Sequence, residues 1–204
     1  MHAAINFNSY KPNVVVVDDF YARPDEVRAL ALQQEFVEDT RYHKGFRTKP
    51  FLFPYVRERF QDLLGCEITD WMVQPYNGVF QYCPANTPVV FHSDSQAYAA
   101  AVYLTPDAPP NTGTTLYRSR STGLRAAPTI TDAVRTGKTV QELEQETYTG
   151  KLLDPSAWEV VDSIGNVYNR LAIWNGKLIH AASGYFGTEP ANSRLFQLYF
   201  FNVK

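Results

Sequence analysis

Val89-Val90-Phe91-His92-Ser93-Asp94 runs from an apolar, β-branched start into a histidine and an aspartate. One residue separates His92 from Asp94, so on an extended strand both side chains leave the same face. A second histidine delivered from another strand completes a two-histidine, one-carboxylate set. Such a set covers one face of an octahedral metal and leaves three positions open. His180 is the candidate, because Leu178-Ile179 leads into it as Val89-Val90-Phe91 leads into His92. The chain has only four histidines; His2 lies near the start and His43 precedes the strand-rich region, so neither is well placed. Ligands at the strand ends of a rigid sheet structure can be held to metal geometry without help from loops.

Outward from this stretch, short apolar runs alternate with turn residues. Trp71 to Gln74, Val79 to Cys83, Val89 to Asp94, Tyr98 to Leu104 and Thr114 to Tyr117 read as strands, as do Leu171 to Trp174, Lys177 to His180 and Arg194 to Val203. Many short strands without alternating helices predict an antiparallel sandwich or jelly roll. Ahead of them, Val14 to Val17 reads as a strand. Pro24, followed by Asp25 and Glu26, suits the first turn of a helix running to about Phe36. A second helix opens at Pro54, carries Val56, Phe60, Leu63 and Leu64, and stops near Gly65. The expectation is one domain over residues 1–204, mainly β, with helical support at about 20–65.

Residues 119–168 interrupt the strand pattern with Thr, Ser, Gly and charge. Thr139-Val140-Gln141-Glu142 is a capping-box pattern that predicts a helix to about Thr147. A connection this long within a compact domain is often a lid, here with Tyr148 or Trp158 able to touch a substrate; a tolerated surface insertion is nearly as good a reading. Trp71 and Trp174 read as core residues, and Arg118, Arg120 and Arg125 as a solvated basic rim.

Composition narrows the function classes. Formal net charge is −2 and the pI about 6.1, so neither nucleic acid nor an anionic membrane is an expected partner. The two cysteines, Cys66 and Cys83, fit no zinc-ribbon spacing. Residues 1–10 lack an apolar signal core, and no run approaches a membrane span. A reducing, cytoplasmic compartment is the default reading. Oligomeric state is not legible.

Taken alone, His-x-Asp is weak evidence. His92 reads as well as a hydrogen-bonded core histidine, Asp94 as a turn former, and His180 as a strand-end histidine bonded to a carbonyl. Arg194 changes the balance. It starts the apolar run Leu195 to Phe201, on the face of Phe196, Leu198 and Phe200. If that face points inward, the guanidinium needs an anionic or strongly accepting partner. At the strand mouth it would instead be solvated or paired with an acid such as Glu189.

These residues together resemble the 2-oxoglutarate/Fe(II) dioxygenase superfamily, in its prolyl 4-hydroxylase-like branch. The likeness runs from about Val79 to Phe201, without the middle segment. His92, Asp94 and His180 resemble the iron ligands. Arg194, fourteen residues after His180, resembles the arginine that binds the far carboxylate of 2-oxoglutarate. Tyr82, in Gln81-Tyr82-Cys83-Pro84, and Tyr103, in Val102-Tyr103-Leu104, resemble tyrosines that line the co-substrate pocket. Gly113-Thr114-Thr115-Leu116-Tyr117 is similar to the short Gly-led strand that follows. The resemblance implies a double-stranded β-helix that uses Fe(II), 2-oxoglutarate and O2. It implies hydroxylation of an unactivated C–H bond in a small-molecule or peptidyl substrate, with release of succinate and CO2. Asp94 fills the position that halogenation would leave to chloride. The stretch from His180 to Arg194, with Gly184, Gly187 and Pro190, is longer than in compact family versions. Two other readings stand beside this one: a non-catalytic metal-binding jelly-roll protein, and a cupin-like enzyme, which the shortage of histidines disfavours.

Overall fold

The computed structural model describes residues 11–38 and 44–204, so His2, Arg41, Tyr42 and His43 lie outside the described residues. Among the described residues, ten strands and four α-helices follow in chain order: β1 (Val14–Val17), α1 (Pro24–Leu32), β2 (Val37–Glu38), β3 (Phe46–Pro50), α2 (Val56–Leu64), β4 (Val79–Cys83), β5 (Tyr98–Tyr103), β6 (Thr114–Ser119), α3 (Ile130–Thr136), α4 (Val140–Tyr148), β7 (Trp158–Ile164), β8 (Leu171–Asn175), β9 (His180–Ala182) and β10 (Arg194–Phe201).

Seven strands form one sheet in the order β1-β8-β5-β10-β4-β3-β2, and three form a second in the order β7-β6-β9. Every pairing is antiparallel. This is the expected jelly roll, a double-stranded β-helix. Period-two alternation divides the large sheet between two cores. On one face Phe80, Tyr98, Ala100, Val102, Leu171, Ile173, Leu195, Tyr199 and Phe201 pack beneath the helices, against Ala31 of α1 and Val56, Phe60 and Leu64 of α2. The helical spacing of those three α2 residues supplies the stripe that covers the sheet. Gly65 ends α2 at φ 66°, with its N–H bonded to the Gln61 carbonyl. On the other face Ala99, Ala101, Tyr103, Ala172, Trp174, Phe196, Leu198 and Phe200 meet Leu116, Ile164 and Leu178, which belong to the small sheet or border it. The gap between the sheets holds the candidate site.

Three strand expectations need correction. Trp71 to Gln74 is a series of turns, with Val73 N–H bonded to the Asp70 carbonyl. Trp71 nevertheless lies in the core, stacked on Tyr199 at 5.4 Å. Val89 to Asp94 forms no ladder: Phe91 N–H goes to the Leu152 carbonyl and Asp94 N–H to the Gly176 carbonyl, on different segments, and only His92 makes a bridge, to His180. The strand placed at Lys177 to His180 begins at His180 instead.

Residues 119–168 are not a lid throughout. Their last third supplies β7, which pairs along the whole of β6. Before it come the expected α4, with its Thr139–Glu142 capping box, and α3, which has a second box from Thr129 to Asp132. Trp158 stacks on Phe91 at 5.6 Å within a small core and lines neither cavity described below. Among the described residues, no helix is long and apolar enough to cross a membrane.

Candidate metal centre and its pocket

The backbone brings the two histidines together. His92 N–H bonds the His180 carbonyl at 3.0 Å, and His180 N–H bonds the His92 carbonyl at 2.8 Å. Directly opposed residues on antiparallel segments point to the same side, and the imidazole centroids lie 4.4 Å apart. Each ring is turned in the same way. His92 Nδ1 lies 3.0 Å from the Val90 carbonyl and His180 Nδ1 2.8 Å from the Leu178 carbonyl, each two residues back along the chain. A carbonyl only accepts, so each Nδ1 carries a proton, and in the neutral ring Nε2 is then the nitrogen left to hold a metal.

Both Nε2 atoms face Asp94. His92 Nε2 is 3.6 Å from Asp94 Oδ1, and His180 Nε2 is 3.3 Å from Oδ2. One donor atom from each of the three residues falls within a 4.8 Å cluster. The His180 and Asp94 side chains are 5% and 7% exposed and that of His92 26%, so His92 is the candidate ligand on the solvent side. Asp94 is set by its N–H bond to the Gly176 carbonyl at 2.7 Å. A Cβ on Gly176 would lie 2.7 Å from the Gln96 carbonyl oxygen and 3.2 Å from Asp94 Cβ, so only glycine lets the two segments approach this closely. Tyr148 of α4 bonds Ser93, between His92 and Asp94, at 2.8 Å. The donor set of two neutral imidazoles and one carboxylate fits an octahedral divalent iron with open positions.

Two cavities meet at this cluster. The inner one, about 80 Å³, is lined by His92, His180, Trp174, Ala101, Phe196, Arg194 and others between the sheets. The outer one, about 390 Å³, opens at Asp94 and is walled by Gln74, Tyr76, Ser93, Gln96 and Leu152. Leu152 is the contribution of the 119–168 segment to this mouth. Trp174 serves both core and cavity, its ring edge-on to His180 at 5.3 Å.

Arg194 enters the inner cavity as the alternation predicts, not at a solvated mouth. It is 4% exposed and stacks over Phe196 at 4.2 Å. Its Nε donates to the Thr112 carbonyl at 2.6 Å and an Nη to Gly113 at 3.1 Å. These bonds use two of the five N–H groups of a guanidinium. Tyr103 lies 5.4 Å beneath the Arg194 guanidinium and shares a hydrogen bond with Thr114 across the two sheets. Burial pushes its phenol up, and the Arg194 charge opposes that rise.

Tyr82 is not in the pocket. Cys83 pairs with Arg194 on the inner face, so its neighbour must point the other way. The Tyr82 ring stacks on Phe46 at 4.8 Å and meets Phe36 at 4.9 Å. Sequence reading also missed residues that do line the inner cavity: Lys44 and Arg47, Gln81 of β4, and Tyr185. Tyr185 comes from the long His180 to Arg194 connection and sits 5.8 Å from the Arg194 guanidinium. Arg118, Arg120 and Arg125 line neither cavity, and Arg118 pairs with Glu159 at the surface.

Comparison with known proteins adds a family and a fold. A family model described as a family of unknown function, DUF6445, matches residues 81–196. No curated protein matches the sequence. HygX from Streptomyces hygroscopicus, solved with nickel and 2-oxoglutarate bound, is similar in structure with a TM-score of 0.56 at 12% identity, covering 94% of this chain and 83% of its own. A prolyl hydroxylase from Trichoplax adhaerens, in complex with a peptide fragment of hypoxia-inducible factor, gives 0.53 at 12% identity, with 93% and 84% covered. SnoN, a non-haem α-ketoglutarate-dependent epimerase from nogalamycin biosynthesis, gives 0.51 at 13% identity, with 93% and 79% covered. At such identities the likeness establishes the fold, which is that of the 2-oxoglutarate/Fe(II) dioxygenases.

Proposed function

The chain belongs to DUF6445, a family of unknown function, and we propose that it is a 2-oxoglutarate- and Fe(II)-dependent dioxygenase. The observation that carries this reading is the pair of Nε2 atoms turned onto one carboxylate at the end of a cavity that also holds a buried arginine. Fe(II), when bound, supplies the activation of O2. The chain's own residues do the rest. With Nδ1–H of each ring committed to a carbonyl, His92 and His180 would hold the metal through Nε2. Asp94 supplies the anionic ligand. Arg194, braced by Thr112 and Gly113, orients the far carboxylate of the 2-oxo acid, with Tyr103 beneath it.

The overall change is hydroxylation: substrate C–H, 2-oxoglutarate and O2 give substrate C–OH, succinate and CO2. The outer cavity presents amides and hydroxyls beside the ligands and suits a small molecule or an amino-acid residue. Closing the inner cavity to bulk water favours coupling of the two half-reactions.

Anaerobic loading with Fe(II) followed by 2-oxoglutarate tests the reading. A visible metal-to-ligand charge-transfer band is expected, and His180→Ala should abolish it. Failure of the loaded wild-type protein to bind 2-oxoglutarate would reject the proposal. Succinate release over a panel of small molecules and peptides then searches for the substrate.

A further inference from the structure

The inner cavity has a second buried guanidinium. Arg47 of β3 lies opposite Gln81, Gln81 opposite Phe196, and Phe196 opposite Tyr103, so one row of four strands carries all four side chains on the face that lines the site. Arg47 is 7% exposed. Its Nε donates to Gln81 Oε1 at 2.7 Å, and its guanidinium lies 4.6 Å over the ring of Tyr76. An edge and a face are thus fixed before any ligand arrives. Arg194, stacked over Phe196, lines the same space.

We infer that Arg47 is a second binding residue for the far carboxylate of the 2-oxo diacid, acting beside Arg194, with Gln81 as its positioning residue. The inference rests on the reading of the protein as a 2-oxoglutarate oxygenase. The cavities decide which molecule Arg47 serves. Arg47 and Arg194 both line the inner space of about 80 Å³, and Arg47 also borders a third cavity, beside Glu35 and Glu38, that Arg194 does not line. Neither lines the outer space of about 390 Å³, where a primary substrate meets the ligands. Two guanidiniums around one small cavity match a carboxylate, whose two oxygens accept several N–H groups. The Gln81 amide and the Tyr76 ring remove much of the ordering cost that a mobile arginine would carry.

The test compares 2-oxoglutarate with 2-oxopentanoate, which keeps the chelating end and chain length but lacks the far carboxylate. Affinities are measured calorimetrically on protein loaded with Ni(II), so no turnover is needed. Wild type should prefer the diacid strongly. Arg47→Met should bind it roughly ten- to a hundredfold more weakly, the loss of a charge-assisted hydrogen bond. It should bind 2-oxopentanoate as wild type does and keep its Ni(II) affinity. An equal loss for both acids, or no loss for either, overturns the inference. If the Met variant does not fold, Arg47→Lys decides in its place: a compact ammonium cannot reproduce the planar fork, so the preference should fall several-fold, and an unchanged preference overturns the inference. Wild-type protein that binds neither acid would instead bring down the oxygenase reading.

Discussion

At the scale of single residues, the site depends on contacts too close to admit substitution. Gly176 is the clearest case, because an added methyl would press on the Gln96 carbonyl oxygen and on Asp94 Cβ. Backbone on one side leaves no soft neighbour to yield. Gly176→Ala should therefore shift Asp94 and weaken metal binding at least tenfold, read by Ni(II) titration, while the fold persists by circular dichroism. An unchanged titration would mean that Asp94 is not held in this way. The candidate ligands themselves were legible in the sequence because His-x-Asp, a distant histidine and an arginine on the inward face of an apolar strand are local patterns. Arg47 was not. Its strand, Phe46-Arg47-Thr48-Lys49-Pro50, has no apolar alternation to mark it, and its partner Gln81 lies 34 residues away.

At the scale of elements, strand parity decides what each side chain can do. Tyr82 was assigned to the pocket by likeness of motif, which carries no information about the face. The pairing of Cys83 with Arg194 turns Tyr82 outward onto Phe46 and Phe36. Tyr82→Phe should leave 2-oxoglutarate affinity within twofold of wild type; a larger loss, by calorimetry, would contradict the register. The strand-like reading of Val89 to Phe91 failed for a related reason. Apolar composition marks burial, but whether a ladder forms depends on a partner edge that local sequence does not reveal. The turn after Trp71 shows how an irregular element is fixed instead. Burial pushes the Asp70 carboxyl up, but bonds from the Asn202 backbone N–H, the Gln74 amide and the Asn202 amide outweigh it and hold the group below the usual carboxylate range. Its stabilisation is complete above about pH 4, the unfolded-chain value, and fades as pH falls through the lower folded value. Asp70→Asn should therefore be less stable than wild type at pH 7, with the gap narrowing below about pH 4. A gap that does not change with pH, in urea titrations, would remove Asp70 from this role. Gln74 also accepts from Gln96 at the outer cavity, so the same change should loosen the mouth.

At the scale of the whole molecule, the ligand set exists only in the folded chain. His92 and Asp94 lie more than eighty residues from His180, and the unfolded chain has no such constellation. A divalent ion held by this set would therefore bind the native state preferentially and stabilise it by mass action, about 2.7 kcal/mol at a hundredfold excess over the dissociation constant. Ni(II) should raise the melting temperature by several degrees, and His180→Ala should remove the rise; an equal rise in the variant would place the ion elsewhere. The jelly roll itself was legible from the rhythm of short strands and turns. The role of residues 119–168 was only half legible: the Thr139 capping box marked α4, but nothing local announced that Trp158–Ile164 would complete the small sheet beside β6. Removing the whole segment would thus cost a strand, not merely a cover. The mutual backbone bonds of His92 and His180 have a practical consequence. They draw the imidazoles together whether or not a cation has arrived, and a socket assembled in advance discriminates poorly among visitors. Later first-row ions outrank ferrous iron in intrinsic affinity. Preparations taken straight from cells should carry nickel, copper or zinc, and will look inert until they are stripped and recharged under nitrogen.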